Sequence, residues 1–378
     1  MVHEDSTHTG GHLLPEPHPV RFLAPDGTPT DAGLPRPDDK RMLDLYRWMV
    51  VGRRYDREAT ALTADATLPI YPAAHGLEAA QVGAVRAIRD TDWVFPTFRE
   101  NVALLARGVD PVDIVRLPRG EWHGGYDPYA HHAAPICTPL ATHLLHAVGF
   151  AQAARAAGDD LVTLAFVGDG ATSEGDFHEA VNLAAVSSAP TVFVVVNNQY
   201  AITTPVAKQT RAPSLAHKAI GYGIPGRLVD GNDVLAVHHV VGEAAEAARA
   251  GRGPSLIEAV TYRMDGHTNK DDDSRYRSAD EVESWRRRDP IERLERYLLD
   301  RGVLGLREKE DIDREAAGLA AAFRARMSAE PVTDPADLFA HVYARPTPHL
   351  LEQARQVEER VARRAVAGGT PIRTEGTR

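Results

Sequence analysis

Two short, almost wholly apolar runs constrain this chain more than anything else in it. LVTLAFV (161–167) ends in Gly168-Asp169-Gly170, and TVFVVV (191–196) ends in Asn197-Asn198. Apolar runs of this length without alternation describe strands covered on both faces, the condition of a parallel sheet. Parallel neighbours need a crossover, and a helix over about Asp176 to Ser188 supplies it. The pattern continues with RLVD (227–230), a helix over about Asp233–Ala250, and SLIEAVTY (255–262). The fold class expected is α/β: a doubly wound, mostly parallel sheet flanked by helices.

Around this middle the chain is helical. The stretch from Asp38 to about Leu62 places Leu43, Tyr46, Met49 and Val50 at helical spacing. Gly76–Arg89 reads as a second helix rich in small residues, and about Ala141–Ala157 as a third that stops at Gly158. Beyond Asp280 the sequence turns strongly charged and stays helical through about Arg364. Residues 1–36 lack periodicity and read as a flexible arm, free or draped over a partner. One α/β domain with helical N- and C-terminal extensions is expected over 37–364, with 365–378 frayed.

Composition narrows the function classes. The 378 residues are 43% apolar and 25% charged, enough for a large core. A formal charge of -10 argues against nucleic acid as a partner. A lone cysteine, Cys137, allows no intramolecular disulfide and fits a reducing cytoplasm. No apolar run approaches the ~20 residues of a membrane span. The opening MVHEDSTHTGGH does not read as a signal peptide. A soluble cytoplasmic protein without a membrane partner is the expectation.

The chemistry sits at the strand ends, where open parallel sheets bind ligands. Glycines there let a phosphate approach the backbone, and a following helix offers free N–H groups. Asp169 would repel a bare diphosphate unless a hard cation lies between them. Mg²⁺ fits, being satisfied by a carboxylate, amide or carbonyl oxygens, water and phosphate. Asp169, the Asn198 side chain and a nearby main-chain carbonyl would supply the protein ligands. Singly, Gly-Asp-Gly is a common turn tripeptide and Asn-Asn an ordinary strand end. Jointly, with residues 171–196 between them, they resemble the thiamin diphosphate fingerprint, GDG followed after about 26 residues by NN.

From about residue 40 to 350 the chain resembles the α subunit of the first (E1) component of a 2-oxo acid dehydrogenase. The segments that carry the resemblance are DWVFPTFRE (92–100), CTPLATHLLHAVG (137–149), GDGATSEGDFHEA (168–180), NNQYAITTP (197–205), YRMDGHTNKDDDSRYRS (262–278) and WRRRDPIERL (285–294). Other thiamin enzymes carry two α/β domains in one longer chain, whereas this one has room for one. The resemblance therefore implies an E1 β subunit that completes the site and supplies the glutamate that activates the cofactor. It implies an α2β2 heterotetramer, inactive without β, that passes an acyl group to the lipoyl domain of an E2 acyltransferase.

Residue by residue, it implies Mg²⁺ held by Asp169, Asn198 and the carbonyl of Tyr200. It implies thiamin diphosphate bordered by Phe98, Arg99, Leu140, Gly168, Gly170, Ala171 and Ala201, with Arg99 on the diphosphate. His267 would stand near the reacting centre as the catalytic group. The loop Thr268 to Arg277 would present Asp271, Asp272, Tyr276 and Arg277 to the lipoyl domain and to one another. Without the resemblance, Arg99 reads as a surface ion pair, His267 as a satisfied loop histidine and the Asp run as a solvated face.

The chain also departs from the pattern. Phe98 stands where the family commonly has Tyr, and Val196 where branched-chain α subunits often have Arg. Cys137 and His143 replace the Ser and Gln of a potassium site, and Thr268 stands at a regulatory phosphoserine position. His123, His131 and His132 fit an entrance loop better than a zinc site, while His75 is undecided between substrate and structure. DDDSRYRS and WRRRDPI lean towards a branched-chain substrate, with pyruvate or acetoin as the rival. A Rossmann-type nucleotide module would need a third glycine and an acid after the second strand, and the sequence has neither.

Overall fold

The computed structural model describes residues 13–30, 33, 35–121, 125–329 and 334–366. The strands of its main sheet are β1 (Trp93–Phe95), β2 (Thr163–Gly168), β3 (Thr191–Asn197), β4 (Gly226–Asp230) and β5 (Ser255–Val260). They form one sheet in the order β1-β2-β3-β5-β4, with every neighbouring pair parallel. Successive side chains leave a strand on opposite faces, and each face has its own core. Leu164, Phe166, Val192, Val194, Ile257 and Ala259 enter one; Ala165, Val167, Phe193, Val195 and Leu256 enter the other. Burial on both sides explains why the runs are apolar without alternation.

The long helices are α1 (Asp39–Ala61), α2 (Glu78–Ala87), α3 (Thr142–Ala157), α4 (Gly175–Ser187), α5 (Val234–Ala247), α6 (Pro290–Asp300), α7 (Leu306–Met327) and α8 (Pro348–Val366). α3 and α4 cover the second face, while α1, α2 and α5 cover the first. The step β1→β2→β3 crosses the sheet one way with α3 and α4 on one side. The step β4→β5 returns with α5 on the opposite side, which keeps the same crossover hand. α6 and α7 lay Leu294, Leu298 and Phe323 into the first core, so these charged helices pack on the domain. No described helix is long and apolar enough to cross a membrane.

The N-terminal segment differs from the expected arm over its described part. Val20 pairs with Val229 at the sheet edge, and Phe22 and Leu23 are buried. Both their backbone N–H groups donate to Asp233 Oδ2 at 2.7 Å. Asp230 accepts from Arg21 Nε at 2.8 Å and Arg293 Nη2 at 2.9 Å. The edge of β4 offers unpaired backbone groups, and a Val-Arg-Phe-Leu tetrapeptide takes them without needing periodicity. The remainder of the arm (1–12, 31, 32, 34) and most of the tail (367–378) lie outside the described residues.

Candidate functional site

Four adjacent strands end at one cavity of ≈ 250 Å³. β1 delivers Thr97, Phe98, Arg99 and Glu100; β2 delivers Gly168, Asp169, Gly170 and Ala171. β3 leads into Asn198, Tyr200, Ala201 and Ile202, β5 into Arg263 and His267. The approach to α3 adds Leu140 and Ala141. Ligand-binding at the carboxyl ends of parallel strands has this geometry. Every residue expected at the cofactor is thus brought to one place.

Asp169 leaves β2 almost fully buried, 1% exposed, with Asn198 beside it at 8%. Burial pushes its carboxyl up, and the Gln209 amide and the Asn198 backbone N–H pull against that. Gly170 packs so tightly on the neighbouring turn that an added Cβ would lie 2.5 Å from Ala201 Cβ. The turn itself is strained: Gln199 (φ 77) and Ile202 (φ 53) sit in the left-handed region without being glycine. Asn197 holds Gln199, its Oδ1 accepting from the Gln199 backbone and side-chain nitrogens at 3.1 Å. Glu258, buried on β5, fixes Asn197 in turn through Nδ2 at 2.7 Å. The result is a braced turn that carries Asn198 and Tyr200 into the cavity that Asp169 also lines.

Two guanidinium groups face the same cavity, and neither has a carboxylate partner among the described residues. Arg99, 5% exposed, donates to Ala73 O at 2.8 Å and His267 O at 2.9 Å. Arg263, 1% exposed, donates to Ile202 O at 2.9 Å, the Tyr276 hydroxyl at 2.8 Å and Tyr200 O at 3.4 Å. Burial, then the charge of Arg263, pulls Arg99 down to about 10. His267 Nδ1 lies 3.0 Å from Arg99 Nη2 and 3.4 Å from Arg263 Nη1. Arginine only donates, so Nδ1 is the acceptor and the ring proton sits on Nε2. Burial and the two arginines hold His267 down at about 4, neutral at pH 7. Arg99 is therefore no surface ion pair, and His267 offers one fixed donor.

The loop after His267 is drawn inward. Asp271 Oδ2 accepts from the His267 backbone at 2.6 Å and also from the Tyr276 hydroxyl. Arg277, 7% exposed, donates to the carbonyls of Arg263 and Met264. The Asp272 carboxylate accepts from the Ser274 hydroxyl at 2.6 Å. Of the contacts expected among these four residues the Asp271–Tyr276 pair is present, while Arg277 turns to Asp273 and to backbone carbonyls and Asp272 faces outward.

Other candidates resolve differently. His75 pairs with Asp265 at 3.2 Å and does not line the cavity. Cys137 and His143 do line it; His143 bonds Phe166 O through Nε2 at 2.6 Å, leaving Nδ1 buried and unpartnered. His131 lies edge-to-face against Tyr126 and His132 against Trp93, outside the cavity. His123 lies outside the described residues. No metal-like cluster of three His, Cys, Asp or Glu occurs among the described residues.

Sequence reasoning passed over Arg263 and Gln209. Arg263 stood three residues beyond the strand end at Val260, a position that signals a ligand site. Gln209 carried no such signal.

The site suits a magnesium diphosphate. Of its two buried carboxylates, Glu100 is taken up by Thr97 and Asp169 is left to face a cation. Two buried guanidinium groups can take an anion, and Gly170 admits close backbone approach. Residues 46–335 match the family described as Dehydrogenase E1 component. The chain is 47% identical over 363 residues to the 3-methyl-2-oxobutanoate dehydrogenase subunit alpha of Mycobacterium tuberculosis, covering 95% of this chain and 99% of the relative. It is 37% identical to the 2-oxoisovalerate dehydrogenase subunit alpha of Bacillus subtilis over 70% of this chain and 84% of that one. A pyruvate dehydrogenase E1 component subunit alpha of Staphylococcus aureus is 36% identical over 81% of this chain and 83% of its own. By these matches and by its fold, the chain belongs to the 2-oxo acid dehydrogenase E1 family, as an α subunit.

Proposed function

We propose that this chain is the α subunit of a branched-chain 2-oxo acid dehydrogenase, acting on 3-methyl-2-oxobutanoate and related acids. It works in an α2β2 assembly with a β subunit and passes its acyl product to the lipoyl domain of an acyltransferase. The substrate assignment is supported by the extent of the likeness to the mycobacterial protein, 47% over 95% of this chain.

The observation that carries the cofactor assignment is the meeting, in one cavity, of buried Asp169 with Arg99 and Arg263, which have no carboxylate partner among the described residues. Thiamin diphosphate, when bound, supplies the electron sink that decarboxylation of a 2-oxo acid requires. Asp169, the Asn198 side chain and the Tyr200 carbonyl hold its Mg²⁺. A carbonyl has two lone pairs, so the Tyr200 oxygen keeps one beyond its long contact with Arg263. Arg99 and Arg263 take the diphosphate charge. The Nε2–H of His267, which lines the same cavity, would donate a hydrogen bond to the reacting groups. Phe98, Leu140 and Ile202 wall the cavity with apolar surface, Leu140 and Ile202 at its exposed mouth.

With co-expressed β subunit, kcat/KM for 3-methyl-2-oxobutanoate is expected to exceed that for pyruvate by at least tenfold. The chain alone is expected to turn over neither. A preference for pyruvate would reassign the substrate, and turnover without β would overturn the assembly.

A further inference from the structure

We infer that Gln209 is a positioning residue for the cation site, acting through Asp169. This rests on the cofactor assignment above. Gln209 lies 40 positions from Asp169 in sequence, yet its Nε2 donates to Asp169 Oδ2 at 2.6 Å. The second Nε2 hydrogen goes to Thr204 O at 2.9 Å. Both partners are pure acceptors, which fixes the amide orientation: turning it over would set Oε1 against a carboxylate and a carbonyl. The consequence is visible at Oε1, which is buried with no donor. A buried acceptor without a partner costs about 1–3 kcal/mol. The chain gives up that bond and keeps two donors aimed at Asp169 and Thr204.

The placement of Gln209 joins the two halves of the site. Tyr200 and Ala201 pair with Pro205 and Thr204 in a short antiparallel ribbon, and the Val206 N–H donates to Gln199 O at 3.0 Å. Asn198 leads into the outgoing strand of this ribbon, which begins at Tyr200; its return leads to Gln209. One ribbon thereby fixes the position of the Asn198 oxygen and the angle of the Asp169 carboxylate together. Metal-binding carboxylates are commonly set by such a partner, and its removal weakens metal binding about 10–100-fold.

Two variants test this in the assembly with β subunit. Gln209→Met keeps length without donors, and Gln209→Glu replaces the donor with an acceptor. Mn²⁺ binding in the presence of thiamin diphosphate, read by electron paramagnetic resonance, gives the dissociation constant; thermal unfolding without cofactor gives stability. Gln209→Met is expected to weaken Mn²⁺ about 10–100-fold, and Gln209→Glu at least as much, with the unfolding midpoint held within a few degrees. Wild-type Mn²⁺ affinity in both variants would overturn the inference, as would a loss that follows lowered stability. A wild-type assembly that binds no Mn²⁺ with thiamin diphosphate would sink the cofactor assignment itself, and the inference with it.

Discussion

Arg99 reaches His267 twice, its Nη2 lying 3.0 Å from the ring Nδ1 and donating to the backbone carbonyl at 2.9 Å. The same group that awaits an anion therefore sets the tautomer of the proposed proton donor. Arg99→Met is expected to weaken thiamin diphosphate binding about 10–100-fold, the value of one or two charge-assisted bonds. Calorimetry on the assembly with Mg²⁺ measures it. Binding within threefold of wild type would place the diphosphate elsewhere.

His267 titrates at about 4 in the folded chain, against ~6.5 when unfolded. Between these values the unfolded chain binds a proton that the folded chain refuses, so its stabilising effect is full above pH 6.5 and is lost as pH falls towards 4. In the cofactor-free protein, the fall in unfolding midpoint from pH 7 to 4 is expected to be shallower for His267→Gln than for wild type. Parallel curves would show that the histidine protonates freely in the fold.

Gly170 faces Ala201 at a distance that excludes a methyl group. Gly170→Ala is expected to cost about 1–3 kcal/mol in denaturant unfolding and to displace the ribbon enough to lower cofactor affinity. An unchanged midpoint with unchanged affinity would mean that the turn yields easily.

Asp233 carries four backbone donors: Phe22 and Leu23 from the N-terminal segment, Leu235 and Ala236 at the start of α5. Asp233→Ala is expected to destabilise by about 3 kcal/mol in urea and to expose residues 20–23 to proteolysis. Retained protection would show that Phe22 and Leu23 hold by apolar packing alone.

The parts of this structure that were legible in sequence are those where one short segment carries its own explanation. LVTLAFV and TVFVVV are covered on both faces, so their composition alone announced strands, and the motifs at their ends marked the cavity. Phe98, Leu140 and Ala201 were found through resemblance, since nothing local distinguishes them. β1 escaped notice because three residues before Pro96 show no period. The Val20–Leu23 docking escaped it because the contact is set by the distant β4 edge and Asp233. Arg263 looked like any arginine; its meaning comes from being buried at the cavity without a carboxylate partner among the described residues. Gln209 was invisible, because its role depends on a ribbon closing across 40 residues onto Asp169.

The account depends most on Asp169 holding a cation for a diphosphate. The direct measurement is calorimetric titration of thiamin diphosphate into the α and β assembly, with Mg²⁺ or with chelator, for wild type and Asp169→Ala. Metal-dependent binding in the wild type, weakened at least 100-fold by chelator and by the substitution alike, is the predicted result. Equal affinity with and without metal, or an Asp169→Ala protein that binds as wild type does, would contradict it.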